Sequence, residues 1–309
     1  MSTVTTGYDS STQRWLLRGG LRKLYDDTLG KTKTYYQEIS NTITTKNMIE
    51  TDLQKGTLDL PVEIVEGQNI PIQRPYLGNT KNYTQRAFAM GFRMTFMMDF
   101  FNKYHLYEDL SKSMAKRMKE GKDVEIATFW NGLTSQSLTC GVPFDTAAVA
   151  SASHTGLNPN TTNDSFSNYL NANLSHAALL SMRYYFATKK DSMGQLNPGK
   201  ATHLIYESTN WATVKEFLES ELKSGEASNT KNVYGDLGLK PFEYPRFTSP
   251  TSCVAIQKDE DYDFNVLTSL EPKMFFPEAK DYTLDKVALS FQMFTYGAGD
   301  VRNIYILDT

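Results

Sequence analysis

The stretch from Gly56 to Leu133 constrains the fold more than any other, because three unlike elements follow one another in it. Gly56 to Tyr83 is an extended arm punctuated by Pro61, Pro71, Pro75, Gly67 and Gly78. Short β-like pieces, Leu60-Pro-Val-Glu-Ile-Val and Ile70-Pro-Ile, lie between the breakers. Proline removes a ladder donor, so such pieces suit an edge or an arm and not the centre of a sheet. A two-stranded ribbon of this length is marginal alone, and a structureless loop of this length is uncommon in a compact domain. The arm needs a neighbour to lie on, so the chain reads as an assembling structural protein and not as a self-contained enzyme.

The next two elements are regular. Thr84 to Met98 alternates with period two, which predicts a strand. Phe88, Met90, Phe92, Met94, Phe96 and Met98 form its core-facing stripe, opposite Ala87, Ala89, Gly91, Arg93 and Thr95. Leu106 to Leu133 is helical by pattern: Leu106, Leu110, Met114 and Met118 repeat at i, i+4, and Ile126, Phe129, Trp130 and Leu133 take over after Gly121. That drift predicts a bend near Gly121. The run Lys112, Lys116, Arg117, Lys119, Lys122 is expected on a solvated helix face.

Charge on the arm is separated. Glu63 and Glu66 lie on its outgoing limb, and Arg74, Lys81 and Arg86 on its return, which makes these five the candidate intersubunit contacts. The N-terminal 30 residues are polar, with Leu17, Leu21 and Leu24 on one helical face interrupted by Gly19-Gly20. This pattern predicts a mobile arm with a docking point, or a frayed terminus, rather than a packed helix. Arg14, Arg18, Arg22 and Lys23 are candidates for contact with a neighbour or with an enclosed nucleic acid.

Composition bounds the classes. A chain of 309 residues with 40% hydrophobic and 22% charged residues is an ordinary globular one, of one large domain or two interleaved ones. Its net charge of −3 argues against a dedicated nucleic-acid binder, though not against a container for nucleic acid. Cys140 and Cys253 are expected as reduced, buried thiols. The N-terminus has no apolar signal-peptide core. The most apolar region, Ala87 to Phe101, is broken by Arg93 and Asp99, and predicts no membrane span.

Downstream, Thr139 to Asp164 reads as loops. Ser175 caps a helix inside a Leu174–Leu179 staple, and Ser208 caps another with Trp211, Val214, Leu218 and Leu222 on one face. Strands are expected at Thr202 to Tyr206, Leu237 to Tyr244, Ser252 to Gln257, Val287 to Met293 and Val301 to Leu307.

Catalytic and metal signatures are weak. There is no phosphate-binding glycine motif, and His105, His154, His176 and His203 lack paired metal spacing. Asp145, Ser151, Ser153 and His154 could form a hydrolase constellation, but no nucleophile elbow surrounds them. Asp259, Asp261 and Asp263 imitate the start of a calcium loop whose glycine and closing glutamate are replaced by Phe264 and Leu270. No catalytic, cofactor-binding or metal residue is assigned.

Four segments carry a family resemblance: LPVEIVEGQNIPIQRPYLGNTKNYTQRAFAMGFRMT (60–95), YEDLSKSMAKRMKEGKDVEIATFWNG (107–132), THLIYESTNWATVKEFLESEL (202–222) with NTKNVYGDLGLKPFEY after it, and FQMFTYGAGDVRNIYI (291–306). In order and character the chain resembles the major capsid proteins of tailed bacteriophages, nearest the Mu-like major head subunit type of the Hong Kong 97-type fold. The resemblance implies an α+β chain with a 1–55 N-terminal arm, a 56–86 extended loop, a peripheral domain from 87–138 and 262–309 with its spine helix at 106–133, and an axial domain at 139–261. It implies self-assembly into hexamers and pentamers of an icosahedral shell enclosing double-stranded DNA. It also implies a separate scaffolding protein or an already trimmed chain, a portal, a decoration protein in shells that carry one, and no cofactor or membrane. Such a protein is made in the host cytoplasm and resides in the virion. The alternatives are an encapsulin-type nanocompartment of the same fold, with a protein cargo, and a hydrolase built on the 139–164 loop.

Overall fold

The computed structural model describes residues 10–58, 60–73, 76–94, 106–135, 143–157, 165–222, 231–277 and 286–309. The chain opens with helix α1 (Ser10–Lys31), a short α2 (Tyr36–Ile39), and strands β1 (Asn41–Thr44), β2 (Ile49–Lys55), β3 (Leu77–Thr84) and β4 (Arg86–Met94). Helix α3 (Leu106–Asn131) follows, then β5 (Tyr169–Asn171), α4 (His176–Thr188), β6 (His203–Tyr206), α5 (Trp211–Glu219) and β7 (Lys240–Glu243). The last strands are β8 (Cys253–Ile256), β9 (Phe264–Phe275), β10 (Lys286–Ala298) and β11 (Ile304–Asp308). They form a four-stranded sheet in the order β1-β9-β10-β4, a five-stranded sheet β5-β11-β8-β6-β7, and a two-stranded ribbon β2-β3.

Helix α3 explains how one chain carries two cores. Its first half packs Tyr107, Met114 and Ala115 with Leu21 and Tyr25 of α1 and with Met274 and Ala288 of the four-stranded sheet. Its second half places Ile126, Phe129 and Trp130 in the main core, where Phe129 stacks on Phe264 at 4.4 Å between ring centroids. The apolar stripe rotates between the two halves, and the residues at the changeover are charged but buried. Lys122 donates to Thr268 Oγ1 at 2.8 Å and lies over the rings of Tyr36 and Phe294. Burial pushes its ammonium below the usual lysine value. Asp123 accepts the backbone N–H groups of Tyr35 and Tyr36 at 3.1 and 3.0 Å, which ties α2 to α3. Lys122 was expected on the solvated face, and that reading fails because its ammonium finds the Thr268 hydroxyl, the Glu271 carboxylate at 3.6 Å and two aromatic faces within the fold. The helix assignment runs unbroken through Gly121.

The N-terminal expectation also changes. Helix α1 continues through Gly19-Gly20. Each glycine costs such a helix about 1 kcal/mol, but Leu21 and Tyr25 are fully buried against α3 and the sheet. Ser111 Oγ donates to Leu21 O at 2.9 Å, and Lys119 Nζ donates to the Leu29 and Thr32 carbonyls at 2.7 and 2.9 Å, at the end of α1. A cation on the last carbonyls satisfies acceptors that have no helical partner. Tertiary packing overrides local propensity here.

A third core lies on the face of the five-stranded sheet opposite the main core. Leu179, Met182 and Phe186 of α4 and Val214 and Leu218 of α5 pack on Leu204, Cys253, Ala255 and Leu307. Ser175 caps α4, accepting from Ala178 N at 3.2 Å. Ser208 does not cap α5: a short 3₁₀ turn, Ser208–Asn210, intervenes. Trp211 and Leu222, expected on the buried face, are exposed. Strand β4 lies at the sheet edge, so its stripe is only partly covered: Met94 is buried, Phe88 and Phe92 are half-buried, and Met90 is exposed. Phe96 and Met98 lie outside the described residues, as does Cys140. Burial pushes the Cys253 thiol up to about 12, so it is an inert packing group. No helix among the described residues is long and apolar enough to cross a membrane.

Candidate functional site

The feature that stands apart from these cores is the ribbon. β2 and β3 pair antiparallel from Ile49↔Thr84 to Lys55↔Leu77, and the last backbone bond joins Gly56 N to Tyr76 O at 2.9 Å. The ribbon thus begins at Ile49, inside the stretch first assigned to the N-terminal arm. Beyond Gly56 there is no ladder among the described residues. The chain turns where Gln68 N donates to Val65 O at 3.0 Å. Gly67 has φ 88°, in the left-handed region that glycine enters without a Cβ penalty.

The surface of this loop is apolar. Leu58, Leu60, Val62, Ile64, Val65, Ile70, Ile72 and Leu77 are all exposed, Ile72 at 91% and Ile70 at 74%. A monomer rarely leaves a contiguous apolar surface in water unless another molecule covers it. The candidate contacts in the sequence are the charges of this arm, not its aliphatic side chains. The alternating Leu60, Val62 and Ile64, expected only as a β-like piece, are the signal for them.

The candidate contact residues separate into groups. Glu63 and Glu66 are exposed on the outgoing limb and at the turn. Arg74 lies outside the described residues. Lys81 and Arg86 are engaged within their own subunit: Lys81 Nζ donates to Ala298 O at 2.6 Å, and Arg86 pairs with Glu125 at 2.9 Å. They anchor the root of the ribbon, which is where a strand leaving the body must be held. Arg22 and Lys23 are exposed on α1. Arg14 and Arg18 precede them on the same helix, with side chains outside the described set.

The root carries further polar ties. Asn79 Nδ2 donates to Phe144 O at 3.1 Å, Ser192 Oγ to Lys55 O at 3.0 Å, and Thr57 Oγ1 to Asp191 Oδ2 at 2.5 Å. They border a cavity of about 490 Å³ between the ribbon, the 189–197 segment and the start of β9. Asp263 is half-buried beside it and accepts from Asp300 N at 2.8 Å and Asn265 Nδ2 at 2.6 Å. Burial first, then the nearby Asp52 and Asp300 carboxylates, push its carboxyl up to about 6, against the opposing backbone bond and Lys81. Asp259, Asp261 and Asp263 do not converge, and among the described residues no group of three potential ligands could hold a metal ion.

The hydrolase constellation is half assembled. His154 Nδ1 lies 2.7 Å from Asp145 Oδ2, but His154 is fully buried. Its Nε2 faces the Val149 carbonyl and Asn168 Oδ1 at 3.3 and 3.2 Å. Ser151 Oγ donates to Ser153 O instead. The imidazole fastens the 145–155 loop to Asn168 and offers no nitrogen to a nucleophile.

No protein-family model and no curated relative matches the sequence. Solved structures match over most of the chain. The capsid of the cyanophage P-SCSP1u aligns with a TM-score of 0.56 at 11% identity, covering 90% of this chain and 88% of that one. The mature capsid of bacteriophage PhiM1 aligns at 0.55 and 9% identity, covering 89% and 87%. The capsid of the empty GTA particle aligns at 0.54 and 10% identity, covering 90% and 92%. The two sheets, the long helix and the exposed ribbon together are the α+β fold of tailed-phage major capsid proteins, the Hong Kong 97-type fold.

Proposed function

We propose that this chain is a structural shell subunit that assembles into the hexamers and pentamers of an icosahedral capsid enclosing double-stranded DNA. The observation that carries this reading is the exposed apolar ribbon on a capsid-type fold: its side chains stand exposed in one chain, and an assembly would cover them. Burying each large aliphatic side chain contributes roughly 1.5–3 kcal/mol, and the contact repeats at every subunit. The basic stretch of α1 that holds Arg14, Arg18, Arg22 and Lys23 is assigned to the shell interior or to a neighbouring subunit. Its cations contact phosphates there without sequence selectivity, as a salt-sensitive electrostatic contact does. A scaffolding protein, a portal and, where the shell carries one, a decoration protein complete the set of partners. The virion is its place of residence after synthesis in the host cytoplasm.

Sedimentation and negative-stain microscopy of the purified full chain test the reading. Closed particles of uniform diameter support it, and a stable monomer at micromolar concentration counts against it. Protease added to unopened particles tests the placement of α1: rapid loss of the first 25 residues would contradict an interior position.

A further inference from the structure

Lys189 ends helix α4 as its C-cap, and Asn303 stands immediately before β11. Both are buried, at 7% and 4% exposure. Backbone bonds fix each of them: Asn197 N donates to Lys189 O, and Gln257 N donates to Asn303 O, both at 2.9 Å. The two residues lie 114 positions apart, yet Lys189 Nζ donates to Asn303 Oδ1. From the other end of the same amide, Asn303 Nδ2 donates to Asp259 Oδ1 at 3.4 Å. Gln257 Nε2 donates to the second Asp259 oxygen and holds that carboxylate in place. An amine, a carboxamide and a carboxylate therefore follow one another in a single chain of contacts.

Three properties of this group suit transfer of the Asn303 acyl group to the amine. Burial pushes the Lys189 ammonium below the ordinary lysine value, against the carboxylates of Asp259, Asp261 and Asp300 and with the help of Arg302. A desolvated ammonium gives up its proton more readily, and the neutral amine is the nucleophile. The fold holds the two reacting groups together, which removes the entropy cost of bringing them into contact. Lys189 and Asn303 also line the cavity at the ribbon root, which gives a small leaving group space to depart.

We propose that Lys189 and Asn303 form an amide bond from Nζ to Cγ within the folded subunit. The Lys189 ammonium passes a proton to the Asp259 carboxylate, and the neutral amine attacks Asn303 Cγ. Asp259 hands that proton to Nδ2, and the Cγ–Nδ2 bond breaks. The new amide nitrogen sheds its surplus proton through Asp259 to the departing ammonia. The net change converts a lysine ammonium and a carboxamide into a secondary amide and an ammonium ion, with no change of oxidation state. The bond lies inside one chain, so it does not rest on the shell-subunit reading. It ties the end of α4 to the start of β11, and it restricts the unfolded chain as any long-range covalent bridge does.

Intact mass of the full chain, denatured before measurement, tests this. The wild-type chain should be lighter than its sequence by one ammonia. Its tryptic digest should contain a species that joins the peptide holding Lys189 to the peptide holding Asn303. Full sequence mass in the wild type would overturn the proposal. Lys189→Arg keeps the cation but has no amine to acylate, so it should show the full mass. Loss of ammonia that persists in that variant would place the reaction elsewhere and overturn the assignment. Asp259→Asn changes an exposed position and should keep the wild-type circular dichroism. In freshly synthesised chain its linked species should accumulate about a hundredfold more slowly, the scale of a lost proton carrier. An unchanged rate would overturn the proton route.

Discussion

Helix α3 and the ribbon both carry large apolar residues, but they place them differently. In α3, Ile126, Phe129 and Trp130 are sealed at 0–1% exposure between a sheet and a strand-borne aromatic. In the ribbon, Leu60, Ile70 and Ile72 stand in water at 70–91% exposure. The helix meets partners that the same chain supplies. The ribbon has prolines that bar it from a sheet centre and apolar side chains exposed in the single chain, which the proposed shell would cover with another copy. Stability of the subunit and stability of the assembly are therefore written in different segments and should separate on mutation.

The largest effect on the folded subunit should come from Phe129→Ala. Removing a ring stacked on Phe264 should lower unfolding free energy by about 3–5 kcal/mol, read by urea denaturation at subunit concentrations below assembly. Ile70→Asp/Ile72→Asp should do the reverse: unchanged denaturation midpoint, with each lost apolar contact weakening assembly by about 1.5–3 kcal/mol per subunit. A lowered midpoint in that variant would erase the contrast, because it would put the ribbon inside the subunit's own core.

A pH series sharpens the comparison at the ribbon root. Asp263 has its carboxyl raised to about 6 from the ordinary carboxylate value of 3.8. The folded state therefore holds its proton more tightly than the unfolded chain. The stability this contributes is present below pH 4 and lost as pH rises through about 6. The difference in unfolding midpoint between wild type and Asp263→Asn should shift against wild type across that window. A flat difference would mean that Asp263 titrates normally. The smallest effect belongs to Glu63→Lys/Glu66→Lys, exposed charges worth about 0–1 kcal/mol each. Helix content should persist while particles loosen at low salt, and unaltered particles would remove these acids from the contact.

Periodicity made much of the body legible. The i, i+4 stripe located α3 nearly to the residue, and alternation predicted strands where β4 and β10 lie, which the fold pairs side by side. The failures have physical causes. Gly19-Gly20 suggested a break because propensity is local, whereas Leu21 and Tyr25 hold α1 through contacts some 90 and 265 residues away in sequence. Lys122 looked solvated because no pattern announces a buried ammonium held by Thr268 and two rings. At the candidate site, charge drew the reading to Lys81 and Arg86, which the fold uses to anchor the ribbon root. The exposed aliphatic row was present in the sequence, but only coordinates distinguish an apolar residue that is covered from one that is not.

The central claim is that the ribbon is incomplete in a single chain. Limited proteolysis of the full chain, below and above its assembly concentration, tests it most directly. The account predicts rapid cleavage between residues 57 and 73 in free subunits, with both fragments held in a folded body, and protection of the same bonds in particles. Equal resistance in the dilute monomer would contradict it, because the ribbon would then find its cover within its own subunit.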